Sequence, residues 1–253
     1  MASAPTRQIV TFGGGGFSME AGNPLLDDFV LELTGKERPR VCFVPTASGD
    51  ADHYVVRFYR TFTADRCEPS HLSLFRRHRT PFDPREHLLT RDLIYVGGGS
   101  VESMLAVWRA HGIDRTLGEA WERGVVLCGL SAGSLCWFTD GVSTFHGAPR
   151  RVPGIGLLPW SNTVHYSSEP RRREAVHRWI LDGMAPAYAA DDGAALHFLD
   201  NDAVQVVASR PTARAYRIER REGQLVTIQL GTRYLGDGEV VPLRPLRRSA
   251  GDG

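Results

Sequence analysis

Short apolar runs alternate with helical stripes through the first half of the chain. Arg7–Phe12 (RQIVTF), Arg40–Pro45 (RVCFVP), Pro69–Phe75 (PSHLSLF), Asp92–Val96 (DLIYV) and the run climbing from Val126 to Cys128 have the length and apolar content of strands. Between them, Leu25, Leu26, Phe29, Val30 and Leu33 recur at helical spacing, as do Val55, Phe58, Tyr59 and Phe62. Leu105 and Trp108 lie on another helix, and a further one is predicted around Thr116–Arg123. Near-continuous apolar strands separated by helices imply a parallel sheet covered on both faces. In the second half the pieces AALHFL, AVQVVA, RAYRIE and LVTIQL follow one another with only turn residues between them. That pattern predicts an antiparallel extension of the same sheet. One domain over residues 1–235 is expected, with the Pro-, Arg- and Gly-rich residues 236–253 as a loosely held tail.

The stretch VLCGLSAGSLCWF, Val126 to Phe138, departs from an ordinary buried strand. It presents one serine, Ser131, between Gly129 and Gly133, where a strand turns sharply into a helix. Such a turn pushes a nucleophile out of the backbone and aims free N–H groups of the helix start near its hydroxyl. The alternative is a tight strand–helix turn that contains a serine by accident. Composition narrows the setting. A net charge of +1 gives no reason to expect nucleic acid or a membrane surface as partner. Lys36 is the only lysine, so no other lysine can serve as a base. Cys42, Cys67, Cys128 and Cys136 lie mostly in apolar contexts without any CxxC, which predicts reduced, buried thiols in a cytoplasmic protein. No apolar leader precedes the first strand, so no secretion signal is expected. No histidine–carboxylate cluster has convincing ligand spacing, and no metal or organic cofactor is implied.

A serine nucleophile needs a base, an orienting acid and oxyanion donors. Among nine histidines, His165 has the best placement, after the Gly/Pro-rich loop and short strand of GIGLLPWSNTVHY. YVGGGS (Tyr95–Ser100) is a second strand ending in glycines, whose backbone can approach a substrate closely. Its Gly99 N–H, with that of Ala132, is the expected oxyanion pair. The rival reading of GGGS, and of GGGG at Gly13–Gly16, is a phosphate-binding loop; neither completes GxGxxG with a downstream acid or carries GK[ST].

YVGGGS, GLSAGS and GIGLLPWSNTVHY, in this order, resemble the peptidase E family, the alpha-aspartyl dipeptidases of serine peptidase family S51, a group that includes cyanophycinases; DDGAALHF is similar as well. The resemblance runs from the first strand to about residue 220. It implies a three-layer α/β/α sandwich with a mainly parallel sheet, like class I glutamine amidotransferases, and a dipeptidase that cleaves after an N-terminal aspartate. It carries Ser131 over as nucleophile, His165 as base and Gly99 as the glycine closing GGG. Ser100 stands where the family usually has Asn, still a donor in the substrate site but with shorter reach. The family acid falls near Thr144 and Phe145, so Asp140, the nearest carboxylate, is the expected triad acid, with Asp192 and Glu169 as substitutes. For the substrate carboxylate, EPRRREAVHRW supplies Arg171, Arg172 and Arg173, of which Arg173 matches the family's arginine best. An ordinary solvated charge run is the competing explanation.

Two other classes compete with this reading. GLSAG fits the GxSxG of α/β-hydrolase esterases, but His165 follows Ser131 too closely for that fold. A non-catalytic nucleotide- or phosphate-binding module would leave Ser131 unreactive. A small peptide is the expected partner, with self-association as a homodimer left open.

Overall fold

A computed structural model describes residues 5–76 and 82–237 of the chain. Residues 238–253, most of the expected tail, lie outside the described residues. The elements of the first half are β1 (Gln8–Phe12), α1 (Gly16–Met19), α2 (Leu25–Glu32), β2 (Arg40–Val44), α3 (Asp52–Thr61), β3 (Glu68–His71), α4 (Pro84–Leu89) and β4 (Leu93–Val96). Then come α5 (Val101–His111), α6 (Ile113–Glu122), β5 (Val126–Leu130) and α7 (Ala132–Leu135). The second half comprises β6 (Phe138–Ser143), β7 (Arg150–Val152), β8 (Leu158–Thr163), α8 (Pro170–Leu181) and β9 (Ala187–Ala190). It closes with β10 (Ala194–Leu199), β11 (Asp202–Ala208), β12 (Ala215–Arg221), β13 (Gln224–Gln229) and β14 (Thr232–Tyr234).

Two mixed sheets organise these elements. The larger has eight strands in the order β14-β11-β10-β1-β5-β4-β2-β3. β1, β5, β4, β2 and β3 run parallel to one another, and β10 joins β1 antiparallel. Strand alternation sorts the apolar side chains onto opposite faces. Val41, Phe43, Leu93, Tyr95, Val126 and Cys128 enter one core with Phe17, Leu26, Phe29, Phe58 and Phe62 from α1–α3 and the residue after α3. Cys42, Val44, Ile94, Val96 and Leu127 enter another with Met104, Leu105, Trp108, Leu117 and Trp121 from α5 and α6. Helices therefore cover both faces, as the continuous apolar strands demanded. The helix ends follow local chemistry. Ser100 caps α5 by accepting the Ser103 N–H, and Gly112, at φ 69, ends it in the left-handed conformation that favours glycine.

The smaller sheet has the order β13-β12-β9-β8-β6-β7, with α8 packed on it through Ala175, Val176 and Ile180. This corrects the expectation of one extended sheet. AALHFL (β10) and AVQVVA (within β11) do join the larger sheet, but RAYRIE and LVTIQL fall in β12 and β13, which pair with each other, β12 pairing also with β9. Period-two patterning tells which face of a strand is buried but not which neighbour it pairs with. No described helix is long and apolar enough to cross a membrane.

Asp27 of α2 is fully buried, both carboxyl oxygens included. Burial pushes its pKa up to about 8, against the lesser pull of Arg66, the Tyr95 hydroxyl and the Phe17 N–H. An unfolded carboxyl titrates near ~4, so between there and about 8 the folded state holds a proton that the unfolded state has lost. Its contribution to stability therefore falls as pH rises through that window and is level above it. Asp27→Asn should remove the fall, so that the variant gains on the wild type between pH 5 and 8 with a slope approaching about 1.4 kcal/mol per pH unit. Urea unfolding of both proteins across that range measures it, and parallel stability profiles would contradict the assignment.

Candidate active site

β5 ends at Leu130 and α7 starts at Ala132, so Ser131 alone forms the connection. Its backbone lies at φ 53, ψ −112, a conformation that L-residues adopt only when the surroundings enforce it. The enforcement is visible. The Ser131 N–H donates to the Phe12 carbonyl at 3.3 Å, and the N–H groups of Ser134 and Leu135 close onto the Ser131 carbonyl at 2.9 and 3.0 Å. The flanking glycines are required by space. A Cβ on Gly129 would lie 2.3 Å from the Gly133 carbonyl oxygen, and one on Gly133 would lie 2.3 Å from that of Val96. The polar residue pinned between two glycines is thus the apex of a strand-to-helix turn built by backbone packing.

His165 follows β8 and also has a left-handed backbone, at φ 54. Its Nε2 is 3.1 Å from Ser131 Oγ, and its Nδ1 is hydrogen-bonded to Asp192 Oδ1. Asp192 Oδ2 accepts from the Ser168 hydroxyl at 2.8 Å. Burial alone would push the Asp192 carboxyl up. The hydrogen bond and electrostatic attraction of the His165 ring, with the Ser168 hydroxyl and Arg210, outweigh it and hold the group below its ordinary value. An ionised carboxylate on Nδ1 fixes the proton there and turns the Nε2 lone pair towards Ser131. This is the arrangement in which an imidazole can take a hydroxyl proton.

Asp140 is not part of it. It lies on β6, where Arg151 of the neighbouring β7 donates to it through Nε at 2.8 Å and through the guanidinium terminus. The carboxylate that meets His165 belongs to Asp192, in the turn from β9 into β10 where the chain passes from the smaller sheet to the larger. Glu169 accepts the Thr144 hydroxyl at 2.6 Å and pairs with Arg172.

GGGG at Gly13–Gly16 closes the site from behind. The Gly13 carbonyl accepts the His165 N–H at 3.0 Å, and the Gly14 carbonyl accepts that of Gly193 at 3.0 Å. A Cβ on Gly14 would sit 2.1 Å from Asp192 Oδ1 and 2.9 Å from His165 Nδ1. This run is a packing surface for the His165–Asp192 pair, which no motif in the sequence disclosed.

β4 pairs with β5 through Val96 and Gly129, so the Gly97–Gly99 turn lies beside Ser131. A Cβ on Gly98 would be 3.4 Å from Ser131 Cβ. The Gly98 N–H is taken by the Tyr54 hydroxyl at 3.2 Å, and that of Ser100 by the Ala47 carbonyl at 2.8 Å. Those of Gly99 and Ala132 meet no acceptor among the described residues. Two free N–H groups on adjacent strand ends suit an oxyanion better than the several a phosphate cradle needs. Ser100 itself is buried, its hydroxyl occupied by Ser103 at 2.9 Å and by His146 Nε2 at 3.3 Å. The three arginines separate: Arg171 is exposed, Arg172 buried, and Arg173 half-buried with its guanidinium 5.9 Å from the centre of the Tyr166 ring. Among the described residues no group of three or more His, Cys, Asp or Glu could hold a metal ion.

The family model of peptidase family S51 matches residues 9–206, a span that contains Ser131, His165 and Asp192. The chain belongs to peptidase family S51. It is 45% identical over 231 residues to the uncharacterized peptidase YgaJ of Bacillus subtilis (strain 168), covering 91% of this chain and 100% of that one. Peptidase E of Shewanella denitrificans is 26% identical over 140 residues, 51% of this chain and 59% of that one. Among solved structures, a peptidase from an acI-B1 Actinobacterium superposes with a TM-score of 0.67 at 19% identity, over 89% of this chain and 97% of that one. A putative peptidase E from Listeria monocytogenes EGD-e does so with a TM-score of 0.54 at 16% identity, over 89% and 100%. These two likenesses speak for the fold, an α/β architecture with mixed sheets.

Asp192→Asn should cut kcat by about 10⁴-fold, because an amide on Nδ1 no longer holds the required tautomer. Asp140→Asn should stay within about twofold of wild type, since it breaks only a partly exposed ion pair with Arg151. Steady-state kinetics on the two variants distinguishes them; the reverse order would return the acid to Asp140. Gly14→Ala should abolish activity as well, while Gly231→Ala, where a Cβ meets open space, should not.

Proposed function

We propose that this S51 peptidase is a serine dipeptidase that hydrolyses dipeptides with an N-terminal aspartate by acyl transfer. The observation that carries the reading is the unbroken chain Ser131 Oγ–His165 Nε2, His165 Nδ1–Asp192 Oδ1 at the carboxyl end of a central strand. Ser131 Oγ attacks the carbonyl carbon of the first residue while His165 Nε2 takes its proton. Asp192 keeps the Nδ1 proton in place and stabilises the imidazolium. The developing oxyanion meets the Gly99 and Ala132 N–H groups. His165 returns the proton to the departing amine, which leaves as the second amino acid. Water, deprotonated by the same imidazole, then attacks the acyl ester and frees Ser131 and aspartate.

The chain order Ser–His–Asp speaks against an α/β-hydrolase esterase, whose order is Ser, acid, His. Helices on both faces of the larger sheet support its description as a three-layer α/β/α sandwich of the class I glutamine amidotransferase kind, with β10 and β11 as its antiparallel extension. The four cysteines are all buried and free, which supports a cytoplasmic setting. For the substrate's side-chain carboxylate we propose Arg173. It is partly exposed at the start of α8, close behind the His165 turn, and no ion pair occupies it among the described residues. A guanidinium–carboxylate fork contributes about 1.5–3 kcal/mol.

Ser131→Ala should lower turnover of Asp-Leu by at least about 10⁴-fold with the fold intact. Arg173→Ala should cost roughly ten- to a hundredfold in kcat/KM for Asp-Leu and almost nothing for Ala-Leu. Initial rates with the two dipeptides measure both. If the wild type cleaves Ala-Leu as readily as Asp-Leu, the aspartyl preference fails; if Ser131→Ala turns over normally, the serine mechanism does.

A further inference from the structure

The left-handed backbone of His165 is, with that of Ser131, a strained feature of the site, and the aim of the imidazole depends on it. A non-glycine residue stays there only when its neighbours over-determine it. Most of the restraints are backbone groups. The His165 N–H binds the Gly13 carbonyl at 3.0 Å, its carbonyl accepts the Glu169 N–H at 2.9 Å, and the next N–H, of Tyr166, binds the Ala190 carbonyl at 3.1 Å. The carbonyl just before it, of Val164, is held by a side chain: Arg172 Nη1 donates to it at 2.9 Å.

Arg172 is only 5% exposed. Its other terminal nitrogen donates to Thr144 Oγ1 and lies 3.2 Å from Glu169 Oε2, while Thr144 donates to the same Glu169 oxygen at 2.6 Å. Thr144 begins the turn from β6 to β7, so one guanidinium ties that turn, the start of α8 and the His165 turn together. The Arg172 Nε–H is buried with no acceptor among the described residues. A buried cation with an unsatisfied N–H is costly to keep. Its charge is already answered by Glu169, and its burial leaves no open face for a substrate carboxylate, in contrast to Arg173.

We propose that Arg172 is a positioning residue for the reaction: by holding the Val164 carbonyl against the Thr144 turn, it fixes the His165 backbone that aims Nε2 at Ser131. The proposal rests on the Ser131–His165–Asp192 reading. A lysine at this place keeps the charge but has one nitrogen, which cannot serve the Val164 carbonyl and the Thr144 hydroxyl in the fixed geometry of a fork. Misplacement of a catalytic group by about 1 Å costs roughly a hundredfold in rate.

The test compares Arg172→Ala, Arg172→Lys and, as a control at an exposed arginine of the same helix, Arg178→Ala. It reads kcat and KM for Asp-Leu, the rate of fluorophosphonate labelling at Ser131, thermal unfolding, and activity in added methylguanidinium. Arg172→Ala should lose roughly a hundredfold in kcat, with KM within about threefold and labelling slowed in parallel. Methylguanidinium should restore part of the loss. Arg172→Lys should lose about tenfold, and it carries the test if the alanine variant does not fold. Arg178→Ala should match the wild type. A rise in KM at unchanged kcat would make Arg172 a substrate contact and overturn the proposal. So would full kcat in a folded variant, or a loss that methylguanidinium leaves untouched and that follows only the fraction unfolded. If the wild type itself is neither labelled at Ser131 nor able to turn over dipeptides, the functional reading fails first and takes the inference with it.

Discussion

Everything in the site depends on how closely backbones approach one another at the carboxyl ends of three neighbouring strands. β1, β5 and β4 lie side by side, and each has glycines at its carboxyl end: Gly13–Gly16 after β1, Gly129 and Gly133 around Ser131, and Gly97–Gly99 after β4. At Gly14, Gly129, Gly133 and Gly99 a single Cβ would fall 2.1–2.3 Å from an atom that the site needs where it is. Removing side chains from this edge lets three loops converge on the volume around one hydroxyl. The sheet register then does the aligning: Phe12 stands opposite Leu130, and Val96 opposite Gly129. Because that register is set by the buried strands, the turns are placed by the core rather than by their own contacts.

The electrostatics follow from the same convergence. Asp192 reaches His165 only because β9 hands the chain from the smaller sheet to the larger beside Gly14. There the carboxylate is partly withdrawn from water, which opposes its charge, yet it is paired with an imidazole and a hydroxyl, which favour it more. A preorganised ion of this kind stabilises an imidazolium without having to move when the proton arrives. Strain at Ser131 and His165 is the counterpart: both depart from ordinary backbone conformations, and both are held by hydrogen bonds to Phe12 and Gly13 of the first strand and its turn.

Much of this was legible from the chain. The apolar strands and helical stripes of the first half predicted the parallel core, and Gly129–Ser131–Gly133 predicted the turn, because both are local patterns with a direct physical cause. His165 was legible through its loop-and-strand setting. The acid was not. Asp140 lies nine residues after Ser131 and faces Arg151 across a strand pair, whereas Asp192 is sixty-one residues away and arrives through a change of sheet. Proximity in sequence carries little information about a contact made by strand order. The signal available was DDG at the mouth of a strand, together with a glycine run too bare to be an ordinary turn. The pairing of β12 and β13 in a second sheet was hidden for the same reason.

The account's central claim is that Ser131 becomes acylated during turnover. Rapid-quench mass spectrometry with an aspartyl ester, whose good leaving group makes deacylation the slow step, observes that species directly. The account predicts an aspartyl adduct on the peptide containing Ser131, approaching one per chain before steady state and absent from the Ser131→Ala protein. Steady hydrolysis of the ester with no adduct on any quenched sample, or an adduct on another residue, would contradict it.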